Sequence, residues 1–211
     1  MLSLSNSRPS RTRSQLRQTT RQRRQLLTSS EQTNASQLLV EQLSQRLLIN
    51  DVKNIAIYLS NDGELETQLV IDWCWQQGIA TYVPVIHPFS KGHLLFLHYH
   101  QDSVMTANKY GIIEPKLNVL DIIPTQDLDI IFTPLVAFDT KGNRIGMGGG
   151  FYDRTLAKWY QDYSNNINAT PRPIGIAHDC QKVDQIPTEV WDIPLPEIIT
   201  PTQHFIFNLD K

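Results

Sequence analysis

The sequence predicts an α/β protein, a single-domain three-layer α/β/α architecture with a mostly parallel central sheet. Short apolar runs rich in Ile and Val alternate with segments of helical periodicity, the rhythm of strands that carry helices on both faces. The 211 residues, 40% apolar and 19% charged, suffice for one sizeable core of ordinary globular composition. Five of the ten glycines fall within 139–153, between an apolar run and a helical pattern, and in such folds ligands bind outside the carboxyl ends of the strands.

The elements follow in order. Residues 1–10 read as a disordered tail and 11–211 as one α/β domain. The first 30 residues hold seven arginines and no acid. Three readings stay open for them: a transit peptide, a nucleic-acid arm, or a tail followed by a helix from Arg13 on which Arg13, Arg17, Arg21 and Arg24 share a solvated face. Thr28-Ser-Ser-Glu31 has the capping-box pattern and opens a second helix through Leu48, with Leu38, Leu39, Leu43 and Leu47 as its stripe. A strand follows over 52–60, then the turn Asn61-Asp-Gly63. The spacing predicts a helix over 64–77 with Glu64 and Glu66 in its first turn, stopped by Gly78. Further strands are expected at 80–85, 94–98, 128–133 and 173–177, with short strand-like pieces at 191–200 and 205–207. A helix over 152–163 buries Leu156, Trp159, Tyr160 and Tyr163, and 110–115 reads as an irregular connection.

Composition narrows the function. A net charge of −2 argues against general nucleic-acid binding by the whole molecule. Cys74 and Cys180 lie far apart and read as free thiols in a reducing compartment. No apolar stretch approaches the roughly 20 residues of a membrane span, and no secretory core is present. His87, His93, His98 and His100 lack the compact spacing of a metal site.

The glycine stretch lacks the Lys-Ser/Thr of a Walker A loop and the spacing of a Rossmann fingerprint. Glycines alone fit a plain turn as well as a phosphate cradle. Arg144 within the loop, Phe151 and Tyr152 behind it, and Asp153 at the helix start favour the phosphate, with Mg²⁺ bridging carboxylate and phosphate.

Asn143-Arg-Ile-Gly-Met-Gly-Gly-Gly-Phe-Tyr-Asp153 closely resembles the signature of the 5-formyltetrahydrofolate cyclo-ligases, or methenyltetrahydrofolate synthetases. The segments 58–67, 129–139, 173–177 and 192–201 extend the resemblance from about Arg13 to about Pro201. It implies an enzyme that uses ATP and Mg²⁺ to turn 5-formyltetrahydrofolate into 5,10-methenyltetrahydrofolate, ADP and phosphate. Carried over residue by residue, it assigns ATP to Arg13, Arg17, Arg144, Ile145, Gly146, Met147, Gly148, Gly149, Gly150, Phe151 and Tyr152. It assigns the folate to Leu59 and Glu64, Mg²⁺ to Asp153 and Asp192, and catalytic roles to Arg144 and Tyr152. Two positions depart from the pattern: Arg13 stands where the family commonly has Lys, and Pro196 where it often has Asp. A catalytic Arg13 and Arg17 cannot be cleaved away, so a cytoplasmic enzyme is expected. It should act as a monomer on small molecules, without nucleic-acid or membrane partners. A folate- or nucleotide-binding protein without turnover and an RNA-binding protein with a basic arm are the competing readings.

Overall fold

The computed structural model describes residues 11–46, 51–108 and 111–209. The expected tail at 1–10, the end of the second helix at Leu47 and Leu48, and Tyr110 lie outside them. The described residues form four α-helices: α1 (Arg13–Gln25), α2 (Ser29–Arg46), α3 (Gln68–Gln76) and α4 (Phe151–Tyr163). Twelve strands accompany them: β1 (Asn54–Ala56), β2 (Ala80–Ile86), β3 (Leu94–Tyr99), β4 (Met105–Ala107), β5 (Ile113–Pro115), β6 (Ile122–Ile123), β7 (Ile130–Pro134), β8 (Ala137–Phe138), β9 (Arg144–Ile145), β10 (Arg172–Ile176), β11 (Glu197–Ile199) and β12 (His204–Ile206).

Eight strands form one sheet in the order β12-β11-β10-β7-β1-β2-β3-β6. The neighbours from β11 to β2 are all parallel, and antiparallel pairs close both edges. Side-chain alternation along each strand divides the core into two layers. Ile55, Ile57, Ile130, Phe132, Ile174 and Ile176 face α2 and α3, meeting Leu39, Leu43, Val70, Ile71 and Cys74. Ala56, Ile131 and Ile198 face the other way, with Leu156 and Trp159 of α4. Parallel strands buried on both faces read as continuous apolar runs, which is why the sequence announces them.

The helix ends have identifiable causes. Thr12 and Gln15 form a capping box that opens α1. The backbone N–H and hydroxyl of Thr28 both donate to Glu31 Oε2 before α2. At α3 the structure corrects the expectation: the helix starts at Gln68, not at Glu64. Glu66 lies before it and caps it from outside, its Oε1 accepting from the N–H groups of Thr67 at 3.0 Å and Gln68 at 3.2 Å. Those donors otherwise have no partner within the helix. The connection expected to be irregular at 110–115 is likewise ordered at its end, where β5 (Ile113–Pro115) pairs antiparallel with β4.

The chain runs from β1 to β2 on one side and later adds β7 on the other side of β1. The strand order therefore reverses at β1, and a crevice opens there beyond the strand ends. Tyr58 and Leu59 follow β1 into it, and Pro134 ends β7 there, with Leu135 and Val136 after it.

Candidate active site

The crevice has a volume of about 1060 Å³, at the upper end for small-molecule sites. One wall comes from α1 and the glycine loop. The loop is not entered directly from β7, as the sequence suggested: the hairpin β8–β9 stands between them. Asp139 closes that hairpin, accepting from Lys141 N, Asn143 N and Asn143 Nδ2 at 2.9 to 3.1 Å. The segment 139–143 is thus a structural turn outside the crevice, and the lining begins at Arg144.

Gly146 through Tyr152 all line the crevice. Gly148 at φ +103° and Gly150 at φ +64° take backbone conformations that a side chain would strain. Gly150 is the N-cap of α4, so loop and helix start present backbone N–H groups together. Ile145 is the exception among the loop residues assigned to ATP. Its side chain is fully buried and packs with Leu16, Val136, Ala137 and Ile186 instead, as the alternation of a strand beside Arg144 requires.

Arg13, Arg17 and Arg144 face the same space. Arg17 Nε donates to Gly146 O at 2.8 Å, which ties α1 to the loop. Arg144 is buried; its Nη2 donates to Asp153 Oδ1 at 2.8 Å, and its Nε has no protein partner among the described residues. Burial lowers its pKa, offset chiefly by Asp153. Arg13 holds Asp192 through both guanidinium nitrogens and also reaches Pro187 O at 3.1 Å. Burial pushes the Asp192 carboxyl up, but the bonds from Arg13 and Glu189 N hold it below its ordinary value.

Asp153 and Asp192 lie near each other, since Ile193 N, next to Asp192, donates to Asp153 Oδ1 at 3.4 Å. Among the described residues no cluster of three or more His, Cys, Asp or Glu could enclose a metal ion. Two carboxylates beside a glycine loop and three arginines still suit Mg²⁺, which keeps much of its shell as water and substrate oxygen.

The lining also includes Tyr58, Leu59 and Glu64, which approach Tyr152 at the start of α4. Glu64 is largely buried; desolvation raises its pKa and Arg24 opposes the rise. Burial and then Glu64 raise the Tyr152 phenol, with Arg144 opposing, so it stays neutral as a donor or acceptor between Glu64 and Arg144.

The basic face expected to be solvated on α1 is solvated only in part, Arg21 keeping 40% side-chain exposure. Arg24 has a side-chain exposure of 0% and Arg21 pairs with Asp62 at 2.7 Å. Residue-by-residue reading missed Arg24 and Asp62 as parts of the crevice, and His178 and Gln181 behind it. Only the arginine periodicity hinted at them. Among the described residues no helix is long and apolar enough to cross a membrane.

A model of the 5-formyltetrahydrofolate cyclo-ligase family matches residues 9–201. The chain is 48% identical to the 5-formyltetrahydrofolate cyclo-ligase of Escherichia coli (strain K12) over 183 residues, 87% of this chain and 97% of the relative. It is likewise 48% identical to the Haemophilus influenzae enzyme of that name, covering 89% and 96%. The NMR structure of the Aquifex aeolicus 5,10-methenyltetrahydrofolate synthetase shares the fold with a TM-score of 0.75, covering 94% of this chain and 93% of that one at 23% identity.

Proposed function

The chain belongs to the 5-formyltetrahydrofolate cyclo-ligase family and is an ATP-dependent ligase, and we propose that it closes 5-formyltetrahydrofolate to 5,10-methenyltetrahydrofolate by phosphorylating the formyl oxygen. The supporting observation is one crevice lined by two chemically distinct sets of groups: arginines with glycine backbone, and a buried carboxylate with aromatic rings.

A formamide carbon is a weak electrophile. Attack of the formyl oxygen on the γ-phosphorus of ATP releases ADP and leaves an iminium phosphate. The N10 amine then adds to the formyl carbon, loses its proton and expels inorganic phosphate, forming the methenyl bridge. The protein has to neutralise the phosphoryl group in transit and align the two substrates. Arg13, Arg17 and Arg144 would offset the phosphate charge, with backbone N–H groups of Gly146 to Gly150 at close approach. Asp153 and Asp192 would hold Mg²⁺, which supplies charge neutralisation at phosphate oxygens when bound.

In the other set, Glu64 would accept from the adjacent N–H donors of the pterin, a charge-assisted pair. Leu59 offers apolar contact. Tyr152, its proton retained, can donate to an oxygen of the transferring group or of the formyl. Arg144 and Tyr152 would act at the reacting atoms.

The test is the growth of methenyltetrahydrofolate absorbance with ATP, Mg²⁺ and 5-formyltetrahydrofolate, with each left out in turn. Product that forms at the same rate without ATP, or no product with all three, refutes the assignment.

A further inference from the structure

Arg24 carries the most fully buried charge bordering the crevice, and the chemistry above gives it no task. It sits in the last turn of α1. Its Nε donates to Asp62 O at 2.9 Å and its Nη2 to Asp62 Oδ2 at 2.7 Å. Its Nη1 is buried without a hydrogen-bond partner among the described residues and lies 3.9 Å from Glu64 Oε1. One guanidinium therefore grips the turn by two edges and leaves the third towards the carboxylate.

The turn needs that grip. Asp62 at φ 52° and Gly63 at φ 73° are consecutive left-handed residues, and Asp62 is the one non-glycine with positive φ among the described residues. Such a conformation persists where the surroundings determine it. Arg21 adds two bonds to the Asp62 carboxylate, at 2.7 and 3.0 Å, and Gln25 adds one at 2.6 Å. The turn that carries Glu64 is thus strapped to α1.

We propose that Arg24 is a positioning residue for the folate: through Asp62 it fixes the turn, and through Nη1 it keeps Glu64 ionised and aimed into the crevice. The proposal rests on the reading that Glu64 receives the pterin. A carboxylate accepts two parallel N–H donors only in its charged form, and burial favours the neutral one. The groups facing Glu64 are Arg24 from α1, Asp62 in its own turn, Tyr58 from the end of β1 and Tyr152 from α4. His178, from the segment after β10, lies against the Gly63 and Glu64 backbone. Burial holds that imidazole neutral at assay pH, its pKa lowered to about 4. Arg24 is the cation of the set.

The experiment is steady-state kinetics of the full chain as Arg24→Gln, Arg24→Lys, Glu64→Gln and the Arg24→Gln/Glu64→Gln double variant, from pH 6 to 8. Arg24→Gln should raise the KM for 5-formyltetrahydrofolate roughly tenfold or more, leave the KM for ATP unchanged, and make the folate KM rise more on acidification than it does in the parent, because the cation that opposes the upward shift of Glu64 is gone. Arg24→Lys should restore the parent pH dependence while the folate KM stays elevated, because an ammonium keeps the charge without the two-edged grip. The double variant should bind folate no worse than Glu64→Gln alone. Additive effects, equal rises in both KM values, or a pH dependence identical to the parent's in Arg24→Gln overturn the proposal. If Arg24→Gln does not fold, Arg24→Lys decides: an elevated folate KM with the parent's pH dependence supports the grip, and a parental folate KM refutes it. A normal folate KM in Glu64→Gln would instead remove Glu64 from the folate site, a failure of the underlying reading that the single variant reports separately.

Discussion

His178 gives the sharpest link between burial and a measurable quantity. It is 3% exposed, and its Nε2 has no hydrogen-bond partner among the described residues. Its backbone N–H donates to Gln181 Oε1 at 2.8 Å, and Gln181 Nε2 reaches Leu135 O and Val136 O behind the crevice. Burial, and then the positive charge of Arg24, push the imidazole down from 6.5 to about 4. The sign follows from proton counting. Between 6.5 and about 4 the unfolded chain binds a proton at this residue and the folded chain does not. Stability therefore falls as pH drops below 6.5 and stops falling, for this group, near 4. At about 1.36 kcal/mol per pH unit, lowering the pH to 5 costs about 2 kcal/mol from this residue. The assay is urea unfolding followed by tryptophan fluorescence at pH 7.5 and pH 5, for the parent and for His178→Gln. The other titrating groups are common to both proteins, so the difference between the two pH sensitivities isolates His178. The variant should lose about 2 kcal/mol less than the parent on acidification. Equal losses would refute the picture of a histidine held neutral by burial.

Three further outcomes are expected. Asp153→Asn removes the partner of the nearly unexposed Arg144 guanidinium, paired at 2.8 Å, and should cost about 3 kcal/mol of stability as well as activity; Arg144→Met in the same chain should return most of the stability in thermal unfolding but none of the turnover. Arg17→Gln breaks the bond to Gly146 O and should raise the KM for ATP roughly tenfold while the folate KM holds, so an unchanged ATP KM would take Arg17 out of the nucleotide wall. At Gly175 an added Cβ would lie 2.8 Å from Ile198 Cγ1, 2.9 Å from Leu195 Cδ1 and 3.0 Å from Leu135 Cδ2, and Gly175→Ala should destabilise by about 1–3 kcal/mol; an unmoved urea midpoint would mean that these side chains give way.

What the sequence disclosed and what it hid have physical reasons. The parallel strands β1, β7 and β10 were legible because both their faces are buried and both must be apolar. The loop was legible because positive φ at Gly148 and Gly150 leaves little choice of residue. The α3 boundary was misread because acids before a helix look alike whether they occupy the first turn or cap it from outside. Leu65, 1% exposed, decides the matter: the chain stays outside the helix to bury it, and Thr67 Oγ1 donates back to Tyr58 O at 2.6 Å. The hairpin β8–β9 was hidden because strands of two residues leave no period to read. Ile145 came with its neighbours in the motif, yet adjacent residues of a strand point oppositely, and only one of Arg144 and Ile145 could face the crevice.

The arginines of α1 show where periodicity stops. Spacing placed Arg13, Arg17, Arg21 and Arg24 on one face; it could not say what the face meets. Its partners are Asp192, Gly146 and Asp62, brought by three separate loops. The flank of the helix beside them buries Leu16 against Val136, Ala137, Ile145 and Ile186. A slip of α1 by one residue turns the helix by about 100° and would move Leu16 and all four arginines from their places together. The helix is therefore held in register by apolar packing and directional charge pairs together. Arg13 and Arg17 border the proposed phosphate wall and Arg21 and Arg24 the turn of Glu64, about 1.5 Å of rise apart per residue. A single helix thus touches both proposed substrate regions, and a break in α1 should disturb ATP and folate binding at once.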